Sequence, residues 1–170
     1  WSDQIGLAAD SSCKLCSRGR WSNKEQLTSN DQCTACVGGR YSTSGEAQTA
    51  VVVCQACAGG RYSTSGEAQT AAAVCIDCAG GRYSTSGEAQ TLATVCKACV
   101  GGRYGSTSST AQISDSSCTP CGAGLYSTSG EAQTLATVCK ACVGGRYGQS
   151  GTGHATSTAC IACVAGTYSI

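Results

Sequence analysis

The sequence predicts a small disulfide-rich β fold, an elongated tandem-repeat rod of short strands and turns, with a period of about 21 residues and almost no helix. Three observations carry this. The 16 cysteines fall into eight CxxC pairs at near-constant spacing. A glycine followed two residues later by an aromatic stands at one place in every period. Phe and Met are absent and aromatics are only 5% of the chain, so large side chains cannot supply a conventional core.

The CxxC pairs are Cys13/Cys16, Cys33/Cys36, Cys54/Cys57, Cys75/Cys78, Cys96/Cys99, Cys118/Cys121, Cys139/Cys142 and Cys160/Cys163. Their first cysteines recur with at most one residue of drift from one interval to the next. Self-similarity at such a period marks an array of like supersecondary units. Units therefore start near 13, 33, 54, 75, 96, 118, 139 and 160, over 13–170, with 1–12 as a non-repeat or degenerate lead-in. The string STSGEAQTLATVCKACVGGRYG occurs identically at 84–105 and 127–148, which suggests recent duplication of a two-unit block. An even cysteine count in a chain short of bulky residues reads as a cross-linked secreted scaffold.

Five residues after each pair comes an aromatic: Trp21, Tyr41, Tyr62, Tyr83, Tyr104, Tyr126, Tyr147 and Tyr168. Gly19, Gly39, Gly60, Gly81, Gly102, Gly124, Gly145 and Gly166 precede it by two, a pattern that asks for a positive-φ turn or close backbone approach. Between them Arg recurs as Arg20, Arg40, Arg61, Arg82, Arg103 and Arg146. If units stack, each aromatic lies against the next unit and Arg covers it through cation–π contact, a stacking ladder. The apolar runs Val51–Val53 and Leu92–Val95 are β-branched strand candidates ahead of the following CxxC. The linkers between pairs are short and broken by Gly, which leaves little room for α-helix.

Three cysteine pairings respect the period. In the favoured one, the second cysteine of each pair joins the first of the next: Cys16–Cys33, Cys36–Cys54, Cys57–Cys75, Cys78–Cys96, Cys99–Cys118, Cys121–Cys139 and Cys142–Cys160. It leaves Cys13 and Cys163 as inter-subunit or out-of-segment cysteines, as in an excerpt of a longer array. Each bond would contribute about 3 kcal/mol by constraining the unfolded chain. The second joins neighbouring pairs into four-cysteine blocks, and the third closes each CxxC on itself. Zinc competes with all three, because CxxC-x16–18-CxxC falls within ribbon and finger spacing. Uniform linkers and a single histidine, His154, weigh against it.

The pattern C-x2-C-x2-G-x-[YW]…C-x2-C resembles the ephrin-receptor-like cysteine-rich repeats. More distantly, it resembles the single-disulfide modules of tumour-necrosis-factor-receptor ectodomains. The match runs from Cys13 to Ile170. What the resemblance implies is an extracellular, disulfide-laddered rod, and long arrays of this kind resemble those of protist surface proteins and flagellar appendages.

Net charge of +1 supplies no basic field for nucleic acid or anionic lipid, and no apolar run is long enough to cross a bilayer. No catalytic constellation or metal-ligand set is read, and no cofactor is expected. His154 sits in what reads as a flexible loop. The carboxylates Glu46, Glu67, Glu88 and Glu131 come one per unit, too sparse for a hard cation. Neither Asn23 nor Asn30 starts a glycosylation sequon. The Ser/Thr-rich loops are candidates for O-linked glycans at Ser42, Thr43, Ser44, Ser63, Thr64, Ser65, Ser84, Thr85, Ser86, Ser127, Thr128 and Ser129.

The expected function is structural: a segment of an extracellular fibril or cell-surface appendage that self-assembles or continues into a longer array. The alternative is a binding ectodomain or adhesin stalk with a carbohydrate or protein ligand. The most divergent loops, 105–117 and 148–159, are where such a site would be sought.

Overall fold

A computed structural model describes residues 13–169. The building block is a two-residue antiparallel hairpin whose strands are the dipeptide ending in the aromatic and the dipeptide inside the next CxxC. The strands are β1 (Arg20–Trp21), β2 (Thr34–Ala35), β3 (Arg40–Tyr41), β4 (Gln55–Ala56), β5 (Arg61–Tyr62), β6 (Ile76–Asp77), β7 (Arg82–Tyr83) and β8 (Lys97–Ala98). They continue as β9 (Arg103–Tyr104), β10 (Thr119–Pro120), β11 (Leu125–Tyr126), β12 (Lys140–Ala141), β13 (Arg146–Gly148) and β14 (Cys160–Ala162). Each odd strand pairs with the even strand after it, giving seven two-stranded sheets among the described residues.

The entry into each hairpin is dictated by glycine. The Arg40 N–H donates to the Val37 carbonyl at 3.1 Å, and Gly39 between them has φ +77°. That value at the third residue of a four-residue turn is what a type II turn demands, and glycine meets it without strain. The same column carries φ values from 72° to 86° throughout.

The β-branched runs are not strands. Val51–Val53, Ala93–Val95 and their counterparts each form one turn of 3-10 helix, with Cys54 N–H donating to Val51 C=O at 3.0 Å. Among the described residues no strand pairs with the run, and Val52 is 80% exposed. Strand propensity reflects packing on a pleated face, and here the ladder runs through the residues between the cysteines instead.

Seven disulfides follow the pairing of second cysteine to next first cysteine: Cys16–Cys33, Cys36–Cys54, Cys57–Cys75, Cys78–Cys96, Cys99–Cys118, Cys121–Cys139 and Cys142–Cys160. Their loops span 17 to 19 residues. Cys13 and Cys163 are free. The buried apolar side chains among the described residues are cysteines and Ala159. Cystine is therefore the core.

The chain divides into two compact units, one of residues up to 76 with 87–93, the other of 77–86 with 94 onward. In the first, successive hairpins are bridged by parallel pairing of Trp21 with Gln48, Tyr41 with Gln69 and Tyr62 with Gln90. In the second, Tyr83 pairs with Gln112 and Tyr126 with His154. A second rung accompanies each bridge. Ala47, Ala68 and Ala89 N–H donate to the carbonyls of Cys16, Cys36 and Cys57, and Ala111, Ala132 and Gly153 N–H to those of Cys78, Cys99 and Cys121. The five alanines sit at φ 53–57°, a left-handed conformation that costs an L-residue about 1–2 kcal/mol. The segment is held there by its own glutamine: Gln48 Nε2 donates to Glu46 C=O at 3.1 Å, and Gln69, Gln90 and Gln133 repeat the contact. The repeated Glu-Ala-Gln is thus a connector that offers its backbone to the preceding hairpin.

Close approach gives the turn glycines a second reason to be glycine. A Cβ on Gly39 would lie 2.3 Å from the Ala89 carbonyl oxygen, whereas one on Gly145 would meet nothing within 4 Å, although both residues share nearly the same φ. Gly145→Ala is therefore expected to cost only the left-handed strain, about 1 kcal/mol. Gly39→Ala adds a backbone clash and should cost about 2–4 kcal/mol. Denaturant midpoints of the two variants check this, and equal losses would refute the close-approach argument.

The cystine core makes a second prediction. Native protein under denaturing, non-reducing conditions should titrate two thiols per chain and release no zinc, rising to 16 thiols after reduction. A count near 16 before reduction would put the zinc reading in place of the disulfides.

Candidate functional site

The repeated side chains singled out in the sequence are used mostly to hold the repeat. Arg20, Arg40, Arg82, Arg103 and Arg146 each donate from Nη1 to a cysteine carbonyl, those of Cys33, Cys54, Cys96, Cys118 and Cys160, at 2.8–3.3 Å. The guanidinium thus reaches across its own hairpin and satisfies the carbonyl that ends the 3-10 turn. A charged donor on a backbone acceptor is among the stronger hydrogen bonds.

The aromatics line shallow grooves together with the arginine of the following repeat. In the first unit Trp21, Val37, Arg40, Val51 and Val52 border a groove of about 540 Å3 that also touches Cys36 and Cys54. In the second unit Tyr83, Val100, Arg103, Asp115 and Cys118 border about 220 Å3, and Tyr126, Val143, Arg146, Ser157 and Cys160 about 200 Å3. The recurrence is positional: aromatic, post-cysteine Val, next Arg, 3-10 residue, cystine. Of these three grooves, the one at Trp21 has two 3-10 valines in its wall, because its turn is Val-Val-Val. Tyr147 and Tyr168 are 51% and 85% exposed, and Tyr41, Tyr62 and Tyr104 are half-buried.

Burial divides the glycan candidates. Ser42, Ser63, Ser84 and Ser127 are 1% exposed, and each hydroxyl oxygen accepts the N–H of the residue two ahead: Ser44, Ser65, Ser86 and Ser129, at 3.2–3.3 Å. A buried hydroxyl inside its own turn leaves no room for a sugar, so these four are corrected from attachment sites to turn-formers. Thr43, Thr64, Thr85 and Thr128 are exposed, and Ser44, Ser65, Ser86 and Ser129 half-buried.

The histidine also changes meaning. His154 is not in an irregular loop; it occupies the place that glutamine holds in the other repeats. Its carbonyl accepts Ser127 N–H at 2.9 Å, and its buried Nε2 has no hydrogen-bond partner. Aligning GTGHAT on GEAQT, with Gly153 in the alanine place and His154 in the glutamine place, is the signal that finds it. The divergent loop 105–117 is likewise tied into the repeat: Gly105 N–H donates to Gln133 C=O at 2.7 Å, and Thr110 Oγ1 to Asp77 Oδ2 at 2.7 Å.

The repeated glutamates Glu46, Glu67, Glu88 and Glu131 are exposed, and no group of three or more potential metal ligands occurs among the described residues. Fourteen cysteines are bonded to one another and so are not thiolate ligands. Of the two free ones, Cys13 is exposed and Cys163 half-buried. No described helix is long and apolar enough to cross a membrane. What the arrangement supplies is a periodic backbone surface. No family model matches this chain, and no curated protein is similar to it.

Proposed function

We propose that the chain is a structural segment of an extracellular fibril or cell-surface appendage, with no reaction of its own. One observation carries this reading: side chains that recur from unit to unit are used in building the repeat itself. Arginine serves a cysteine carbonyl, glutamine serves its own connector, and serine serves its own turn. These three columns serve the fold, while the Glu46 and Thr43 columns stay exposed. The cystine core suits an oxidising environment, where disulfides persist. Surface labelling tests the reading. Antibody against the chain should decorate intact, non-permeabilised source cells, on filamentous structures in electron micrographs. Label confined to permeabilised cells overturns it.

A binding ectodomain is the second reading, favoured by the groove lined by Trp21, Val51 and Val52.

O-linked sugars belong to the structural reading at the exposed column Thr43, Thr64, Thr85 and Thr128. The intact mass of native material should exceed that of the disulfide-bonded chain by whole hexose or hexosamine increments. Release of the glycans and peptide mapping should leave the buried Ser42 column unmodified. A native mass equal to the bare chain removes the glycans from the proposal.

A further inference from the structure

One repeat departs from the others in the wall of its groove. The first residue of the 3-10 turn is Val51 in the groove at Trp21 and Ser157 in the groove at Tyr126. In the groove at Tyr83 the same place is held by Asp115, whose carboxylate shares the groove with the Arg103 guanidinium. Among the described residues no ion pair joins the two, and the Asp115 carboxylate has no hydrogen-bond partner. Arg103 donates from Nη1 to the Cys118 carbonyl at 3.3 Å, which fixes the guanidinium while its other donors stay uncommitted.

The turn beneath the carboxylate is capped, unlike those that follow Ala50, Ala71, Leu135 and Thr156. Ser114 Oγ accepts the Ser116 N–H at 3.1 Å and the Ser116 hydroxyl at 2.9 Å, and Ser117 Oγ donates to the Ser114 carbonyl at 2.7 Å. The serine hydroxyls of this turn are thus used within it, and the carboxylate is not. The loop that delivers Asp115 is pinned twice more. Beside Tyr83, the Ser84 N–H donates to the Gln112 carbonyl at 2.8 Å, and Thr110 Oγ1 donates to Asp77 Oδ2 at 2.7 Å. All of these residues belong to one compact unit. Ring, guanidinium and carboxylate are therefore set in place before a ligand arrives, which lowers the ordering cost of binding.

The chemistry of the groove defines its occupant. Guanidinium and carboxylate cancel in charge, so the groove favours neither a polyanion nor a cation. It offers a fixed donor and a fixed acceptor beside the Tyr83 ring and the Val100 side chain. A neutral ring with one C–H face and a rim of hydroxyls matches both: each hydroxyl donates and accepts, and the C–H face covers the aromatic. At about 220 Å3 the groove is smaller than the pockets that enclose drug-sized ligands, which suits a single sugar ring.

We infer that the groove of Tyr83, Val100, Arg103 and Asp115 is a binding site for a neutral hexopyranose, with Asp115 accepting and Arg103 donating hydrogen bonds at its hydroxyls. This goes beyond the structural reading and does not depend on it, since it gives one repeat a ligand whether or not the chain belongs to a fibril.

Amide chemical shifts of the full disulfide-bonded chain, titrated with the methyl glycosides of glucose, galactose and mannose, test this. At least one of the three should give saturable shifts centred on Tyr83, Val100, Arg103 and Asp115, with half-saturation in the millimolar range. Asp115→Val installs the residue that the Trp21 groove carries in the same place, so the fold accommodates it. It should weaken binding about tenfold or more, as loss of a hydrogen bond to a charged group does. Asp115→Asn, similar in shape and uncharged, is the second variant and should weaken binding in the same direction. Glu88→Ala, at an exposed carboxylate outside the groove, should leave the affinity unchanged. Glycine, a small zwitterion, should give no saturable shift at the groove. Absence of saturable shifts with all three glycosides, saturable shifts only away from the groove, parental affinity in both Asp115 variants, or a response to glycine equal to that of the sugars overturns the inference.

Discussion

Everything in this chain depends on a backbone approach that only glycine permits. The Gly39 column lets the carbonyl of a left-handed connector, here Ala89, come within 2.3 Å of where a Cβ would stand. With a side chain there, the connector could not lie against the hairpin turn. The Ala89 N–H rung to the Cys57 carbonyl and the Gln90 bridge to Tyr62 both need the connector in that position. Small residues elsewhere follow from the same closeness, since bulky ones would hold the repeats apart.

That closeness explains why cystine is the core. Hairpins with strands of two or three residues have little independent stability in water, and here they bury no leucine, isoleucine or phenylalanine between them. A disulfide spanning 18 residues does for each hairpin what side-chain burial does for a larger domain, by limiting the freedom of the unfolded loop. The arginine that reaches the cysteine carbonyl ties the far end of the same loop. Stability is thus assembled one repeat at a time, with rungs added between neighbouring repeats within each unit. A chain built this way tolerates duplication of whole units and the single insertion in the Cys99–Cys118 loop, whose separation is 19 instead of 18. The insertion leaves the Tyr83–Gln112 bridge in place.

The period, the hairpin-forming glycine turn and the cysteine-rich β class were legible in the sequence because each is written as a residue type at a fixed spacing. Eight glycines in one slot state a backbone requirement directly. Sixteen cysteines in CxxC pairs narrow the connectivity to three periodic arrangements, and the sequence alone ranks them. What the three-dimensional structure decided is where identical-looking residues point and what they touch. Val51–Val53 has strand composition but no neighbouring strand, so it closes as a 3-10 turn. Ser42 and Thr43 are interchangeable as letters; one is buried in its own turn and the other faces solvent. His154 looks unlike the repeat until its carbonyl is found in the glutamine place of the ladder. Contacts from one hairpin to the connector beyond the next depend on how the hairpins lie on each other, and no local spacing encodes that. The sequence by itself determined the repeat and its turns, which are local backbone chemistry. Tertiary structure decided the pairing of cysteines, the face each hydroxyl takes and the place of His154 in the ladder, because these follow from which groups come within reach only after the hairpins stack.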